Sequence, residues 1–130
     1  MEMKERNNTL IQRAFELLND DNSRYKKNVV KEGYIDDAYA SKISAFSVSI
    51  AMIGLKPTLA MYYEKGGSAI DTRNIVGLLA EMLHKDNYPF DTAEGLFKDA
   101  MQNADDKLRK QVIDNAVALK VVVRTFLKNN

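Results

Sequence analysis

The sequence has 130 residues, with 19 Lys and Arg against 18 Asp and Glu, one His, no Cys and no Trp; that length predicts a single domain, residues 1–130, around one core. The absence of cysteine excludes a disulfide framework, a thiolate zinc site, an iron–sulfur cluster and a cysteine nucleophile. The net charge of +1 argues against a protein that is basic all over and binds nucleic acid by bulk charge.

The opening residues Met1-Glu2-Met3-Lys4-Glu5-Arg6 lack the apolar run of a signal peptide, so the expected location is the cytoplasm. Apolar residues then recur with helical spacing nearly to the end of the chain. Leu10, Ala14 and Leu17, flanked by Ile11, Phe15 and Leu18, predict a first helix over about residues 3–19. Asp20-Asp21-Asn22-Ser23 reads as a break or a cap. A short segment from Arg24 to Lys31 follows and stops at Gly33. Asp36 is placed to cap the next helix, in which Tyr39, Ile43, Phe46, Ile50 and Ile53 alternate at spacings of four and three. Phe46-Ser-Val48-Ser-Ile50 also alternates with period two, but the longer helical pattern and the lack of a nearby hairpin partner favour helix. The uncharged run from Ile43 to Leu55 is too short to span a membrane.

Gly54 suits a helix C-cap, which needs a left-handed backbone, and Pro57 suits the first turn of a new helix. That helix is expected to run to about Lys65 and end at Gly66-Gly67. Asp71 is placed to cap another, with Ile75, Leu78, Leu79 and Met82 inward and Gly77 permitting a close helix–helix approach. Asn87-Tyr88-Pro89 reads as a turn. Asp91 and Glu94 have capping-box spacing, opening a helix to about Gln102. Asp105 is placed to cap the last helix, which is expected to run to about Lys128, a length of about 36 Å. The predicted fold is all-α, a compact bundle of five or six helices with a long C-terminal helix.

That last helix has two kinds of surface. Leu108, Val112, Leu119, Val123 and Phe126 form a core stripe. Lys107, Arg109, Lys110, Lys120, Arg124 and Lys128 occupy much of the rest, with acids only at Asp105, Asp106 and Asp114. Among the basic residues runs a second apolar line, Ile113, Val117 and Val121. Either the helix is buried on both sides near its middle, or this line is a partner-docking strip with a basic rim. Only the second arrangement leaves Val117 and Val121 exposed.

Signals for chemistry are sparse. His84, the single histidine, lies near a helix end, where the dipole accounts for it as well as a role in proton transfer does. Asp20-Asp21, Asp36-Asp37 and Asp105-Asp106 each sit at a predicted helix start, where capping explains them better than a metal site. No metal and no cofactor are expected. Gly66-Gly67-Ser68 lacks the pattern and the preceding strand of a phosphate loop. Arg24-Tyr-Lys26-Lys27 with Lys31 is a basic run containing an aromatic, able to contact phosphates and stack on a base or simply to form a solvated face. Tyr62-Tyr63, between Lys56 and Lys65, carries the same ambiguity, with one ring expected inward.

Three segments together resemble one family. They are Ile50-Ala-Met-Ile-Gly54-Leu55-Lys-Pro-Thr-Leu-Ala60-Met-Tyr, then Asp71-Thr-Arg73, then Asp114-Asn-Ala-Val-Ala-Leu-Lys120-Val-Val-Val-Arg124-Thr-Phe126. The chain resembles the small helical subunit of the type III-B (Cmr) CRISPR RNA-targeting effector complex. The N-terminal third and residues 86–104 match only in helical character, and the approach to the second long helix departs in carrying Asp36-Asp37. The resemblance implies a non-catalytic subunit in antiviral defence. It would stack in a short filament of its own copies, beside the backbone subunits that bind guide RNA. It would also touch the large subunit and help hold the guide–target RNA duplex. It implies no membrane and no small-molecule substrate. Phosphate contacts would then fall to Lys120, Arg124 and Lys128, one helix face at spacing four, with Arg73 and Lys56 as further candidates. Subunit docking would fall to Ile113, Val117 and Val121. A helical protein–protein adaptor without nucleic-acid contact is the alternative. A small enzyme would need a pocket joining His84 to two acids.

Overall fold

A computed structural model describes residues 3–64, 70–103 and 105–128. Among these the chain forms seven α-helices in the order α1 (Met3–Leu18), α2 (Lys26–Val29), α3 (Asp37–Ile53), α4 (Leu55–Tyr63), α5 (Arg73–His84), α6 (Ala93–Asn103) and α7 (Asp106–Val123). A small antiparallel pair, β1 (Val30–Lys31) and β2 (Tyr34–Ile35), lies between α2 and α3, and a 3-10 turn, Arg124–Phe126, follows α7. The class is all-α, as the spacing predicts. The Gly66-Gly67-Ser68 segment and the expected helix end at Lys65 lie outside the described residues.

The core forms because each long helix carries an apolar stripe that only a neighbour can cover. On α5, nine of twelve residues are buried, so it is the central helix, packed by α1, α4, α6 and α7. α7 lies between α1 and α3 across α5. On α3 the buried residues are Tyr39, Ile43, Phe46 and Ile50; Ile53, expected to continue that stripe, is exposed, because α3 ends there and Gly54 turns the chain away.

The caps follow local chemistry with small displacements. The Asp36 side chain accepts from the Ala38 N–H at 2.7 Å, and Asp105 from the Leu108 N–H at 2.8 Å. Asp71 accepts from the Arg73 N–H at 3.0 Å. α6 is capped by Thr92 rather than Asp91: its hydroxyl accepts from the Gly95 N–H at 3.0 Å. The Ala93 N–H is bound instead by the Tyr25 hydroxyl at 2.8 Å, which satisfies one of the orphan donors of a helix start. Gly54 has φ +96° but an extended ψ of 166°, so α4 begins at the next residue, with Pro57 in its first turn.

Two features depart from the sequence expectation. The Arg24–Lys31 segment, expected to stop at Gly33, instead runs through it into a hairpin, with Val30 opposite Ile35 and Lys31 opposite Tyr34; Glu32 and Gly33 both take positive φ, as a tight primed turn requires. Gly77 does permit a close approach, but of a ring rather than a helix. The Tyr25 ring lies directly on it, where any Cβ would collide with Cγ, Cδ1 and Cε1.

Candidate nucleic-acid interface

The C-terminal end of α7 decides where the candidate residues go. Val121, Val122 and Val123 are consecutive β-branched residues, which favour helix weakly. The Thr125 hydroxyl then donates to the Val122 carbonyl at 2.7 Å. The helix stops at Val123, tightens into the 3-10 turn, and is extended from Leu127. It is therefore shorter than the expected 105–128, and Lys128 does not continue the spacing-four face. Its Nζ instead lies 5.9 Å from the centroid of the Tyr34 ring on the hairpin.

Within α7 the exposed arc is narrow. At about 100° per residue, Ile113, Val117, Lys120, Val121 and Arg124 fall within about 100° of one another. Val117 and Val121 are 44% and 46% exposed, Arg124 is exposed, Lys120 is half-buried, and Ile113 is partly buried against the core. The second apolar line is thus not an inner face: the outward surface of α7 interleaves valines with cations. Phe126, expected in the core stripe, is only partly buried, because the 3-10 turn rotates it off that stripe.

Arg124 and Leu127 form one wall of a shallow groove. The other wall is α3, with Asp37, Ala40, Ser41, Ser44, Ala45 and Val48. The end of α7 therefore lies against the first half of α3. β2 ends just before Asp36, and Lys128 directly follows Leu127, so the hairpin stands at one end of this groove. Tyr34 is 48% exposed and Lys31, its partner in the register, is exposed. Periodicity cannot find strands two residues long; the sequence signal for Tyr34 is the Glu32-Gly33 dipeptide between Val30-Lys31 and Tyr34-Ile35.

Arg73 and Lys56 do not join this surface. Arg73 donates from Nε to the Tyr63 carbonyl at 2.7 Å and its Cζ lies 5.1 Å from the Tyr63 ring centroid. That ring stacks on Phe97 at 4.5 Å and 8°. Arg73 closes the C-terminal end of α4 onto α5 and is occupied there. Lys56 is exposed but follows the C-terminal end of α3, the end remote from Arg124.

The other sequence signals resolve into structure. Tyr25, a candidate base stacker, is held between Gly77 and the Ala93 N–H. Lys26 pairs with Asp21 at 2.8 Å, and this ammonium holds the Asp21 carboxyl below its ordinary range. Asp20 accepts from the Asn22 N–H at 2.9 Å. Tyr62 is the inward ring of its pair, edge-on to Phe46 at 4.8 Å, and donates to the Lys42 carbonyl at 2.7 Å; its burial raises the phenol above its ordinary value. His84 is exposed, with Nδ1 2.9 Å from the Tyr88 carbonyl oxygen. Among the described residues no group of three or more His, Cys, Asp or Glu could hold a metal, and no helix is long and apolar enough to cross a membrane.

Comparison with known proteins gives a family and a solved structure. The family profile described as CRISPR-associated protein (Cas_Cmr5) matches residues 6–126. The chain is similar in fold to a CRISPR-associated Cmr5 family protein from Thermus thermophilus. The TM-score is 0.66 at 19% identity, over 98% of this chain and 100% of that one. No curated protein sequence matches this one.

Proposed function

The chain belongs to the Cas_Cmr5 family of CRISPR-associated proteins, and on that premise we propose that it is a non-catalytic structural subunit of a type III-B effector complex. Its copies stack in a filament beside the subunits that bind guide RNA, and the outward face of α7 helps hold the guide–target duplex for antiviral defence. The observation that carries this reading is the composition of that face. Val117 and Val121 are exposed on the same face as Lys120 and Arg124, so apolar and basic side chains stand side by side there, a pairing that suits contact with both protein and RNA.

A duplex can be gripped through its backbone without reading sequence. One subunit then needs only a few phosphate contacts, because repetition along a filament multiplies weak binding. Few contacts per copy also suit a nearly neutral chain, which by itself binds stray RNA poorly.

The test is Lys120→Glu with Arg124→Glu in the assembled complex. Target-RNA affinity is expected to fall, and its dependence on salt to weaken by about two phosphate contacts per copy. Unchanged affinity and unchanged salt dependence, with the complex intact, refute the phosphate role. The exposed valines also favour a second reading, an adaptor without RNA contact. In that case Val117→Asp with Val121→Asp blocks assembly, and RNA crosslinks never map to this chain.

A further inference from the structure

Resting on the RNA-holding role proposed above, we infer that Tyr34 is a stacking position for an unpaired nucleobase at the hairpin end of the α3–α7 groove. Four observations carry it. Tyr34 is a large exposed aromatic, 48% accessible, outside the core cluster. It is presented by a two-residue strand whose turn, Glu32-Gly33, holds positive φ at both positions, so strand pairing sets where the ring stands. A cation, Lys128, already lies over its ring at 5.9 Å, and Lys31 stands opposite it in the register. Finally, Lys128 continues directly from Leu127, which lines the groove with Arg124, so a strand whose phosphates pass Arg124 can bring a base to the ring.

The charge around the groove decides what kind of contact this is. Asp37 lines the groove and Glu32 is exposed at the hairpin tip, so phosphates are confined to the Arg124 and Lys128 side. The ring offers an uncharged attraction where cations alone are offset by acids. Every base has a π-face, and aromatic stacking is indifferent to sequence. Bases inside a continuous duplex already have both faces covered, so Tyr34 serves a nucleotide that is unpaired, turned out of the helix or at its end.

The experiment uses the assembled complex and target RNA carrying 2-aminopurine at one position at a time, with Tyr34→Ala and Tyr34→Phe. Tyr34 is outside the core, so both variants are expected to keep the melting temperature of the chain. Tyr34→Ala is expected to weaken target-RNA binding at least about fivefold, equally at low and high salt. It should release 2-aminopurine quenching at a defined position, and Tyr34→Phe should restore both. If Tyr34→Ala leaves affinity and quenching unchanged while Lys120→Glu with Arg124→Glu weakens binding, the inference is wrong and the RNA-holding role stands. If neither matters, both fall. Loss of the subunit from the complex on Tyr34→Ala, with no change in RNA quenching, places a protein against the ring and also overturns the inference.

Discussion

Gly77→Ala is a demanding test of how this fold is built, because elementary propensity and the structure predict opposite signs. In an exposed helix interior, Ala is better than Gly by about 1 kcal/mol. Here the new Cβ would fall on the Tyr25 ring, inside contact distance of three of its atoms. Ordinary carbon contacts lie at about 3.5–4.0 Å, so the ring must retreat by about an ångström. That retreat pulls the Tyr25 hydroxyl from the Ala93 N–H, now 2.8 Å away, a bond worth about 1 kcal/mol net. Overpacking adds about 1–3 kcal/mol. Set against the propensity gain, Gly77→Ala should destabilise by about 1–3 kcal/mol. In a Tyr25→Ala background the collision is gone, and the same substitution should become neutral or stabilising by up to about 1 kcal/mol. Urea unfolding of the wild type, the two single variants and the double variant gives the coupling, expected at about 1–4 kcal/mol. A stabilising Gly77→Ala in the wild-type background, or additive single variants, refutes the packing argument. Either outcome would also free Tyr25 for the base-stacking role that its basic neighbours suggest.

Two further predictions follow from half-buried charged groups. Arg73→Ala removes the bond to the Tyr63 carbonyl and the cation from the Tyr63 ring, so it should cost about 1–2 kcal/mol in thermal or urea unfolding while the salt dependence of RNA binding by the complex stays unchanged. Glu81 is half-buried, and burial raises its carboxyl above the ordinary 4.5 against hydrogen bonds from Ser23 and the Arg24 and Tyr25 backbone; the folded chain then holds the proton more tightly than the unfolded one, so this residue's contribution to stability is fullest below that window and declines as pH rises through the folded value, a slope that Glu81→Gln should remove from unfolding measured across mildly acidic pH.

The parts of the fold that are legible in the sequence are those governed within a few residues of chain. The Asp36 and Asp105 caps bind N–H groups two and three residues on, and the stripe of α3 is read at its own helical period. What is not legible depends on partners distant in sequence. Thr92 caps α6 in place of Asp91 because a hydroxyl from residue 25 already binds the Ala93 N–H. Arg73 looks like a free cation until the α4 terminus is folded against it. The candidate interface divides the same way. Lys120 and Arg124 share a face because α7 runs through Lys120 and Arg124 is the first residue of the 3-10 turn that directly continues it. Lys128 leaves that face because the helix stops at Val123, and Tyr34 escapes a periodicity reading because strands of two residues carry no period.

The net charge of +1 also changes meaning once each acid is located. Asp21, Asp86, Glu94 and Asp114 are paired with Lys26, Arg13, Lys98 and Arg6. Asp36, Asp71 and Asp105 are bound to N–H groups at helix starts. Those acids are engaged by the fold, and among the described residues none of them neutralises Lys120, Arg124 or Lys128. Asp37 is the acid that shares the groove with Arg124, and it stands on the α3 wall, opposite the cation. A balanced total therefore coexists with an outward edge whose cations have no ion-pair partner among the described residues. The same edge is apolar at Val117 and Val121. A surface that leaves both cations and valines open suits the role proposed above, with an anionic strand along the basic residues and protein against the valines.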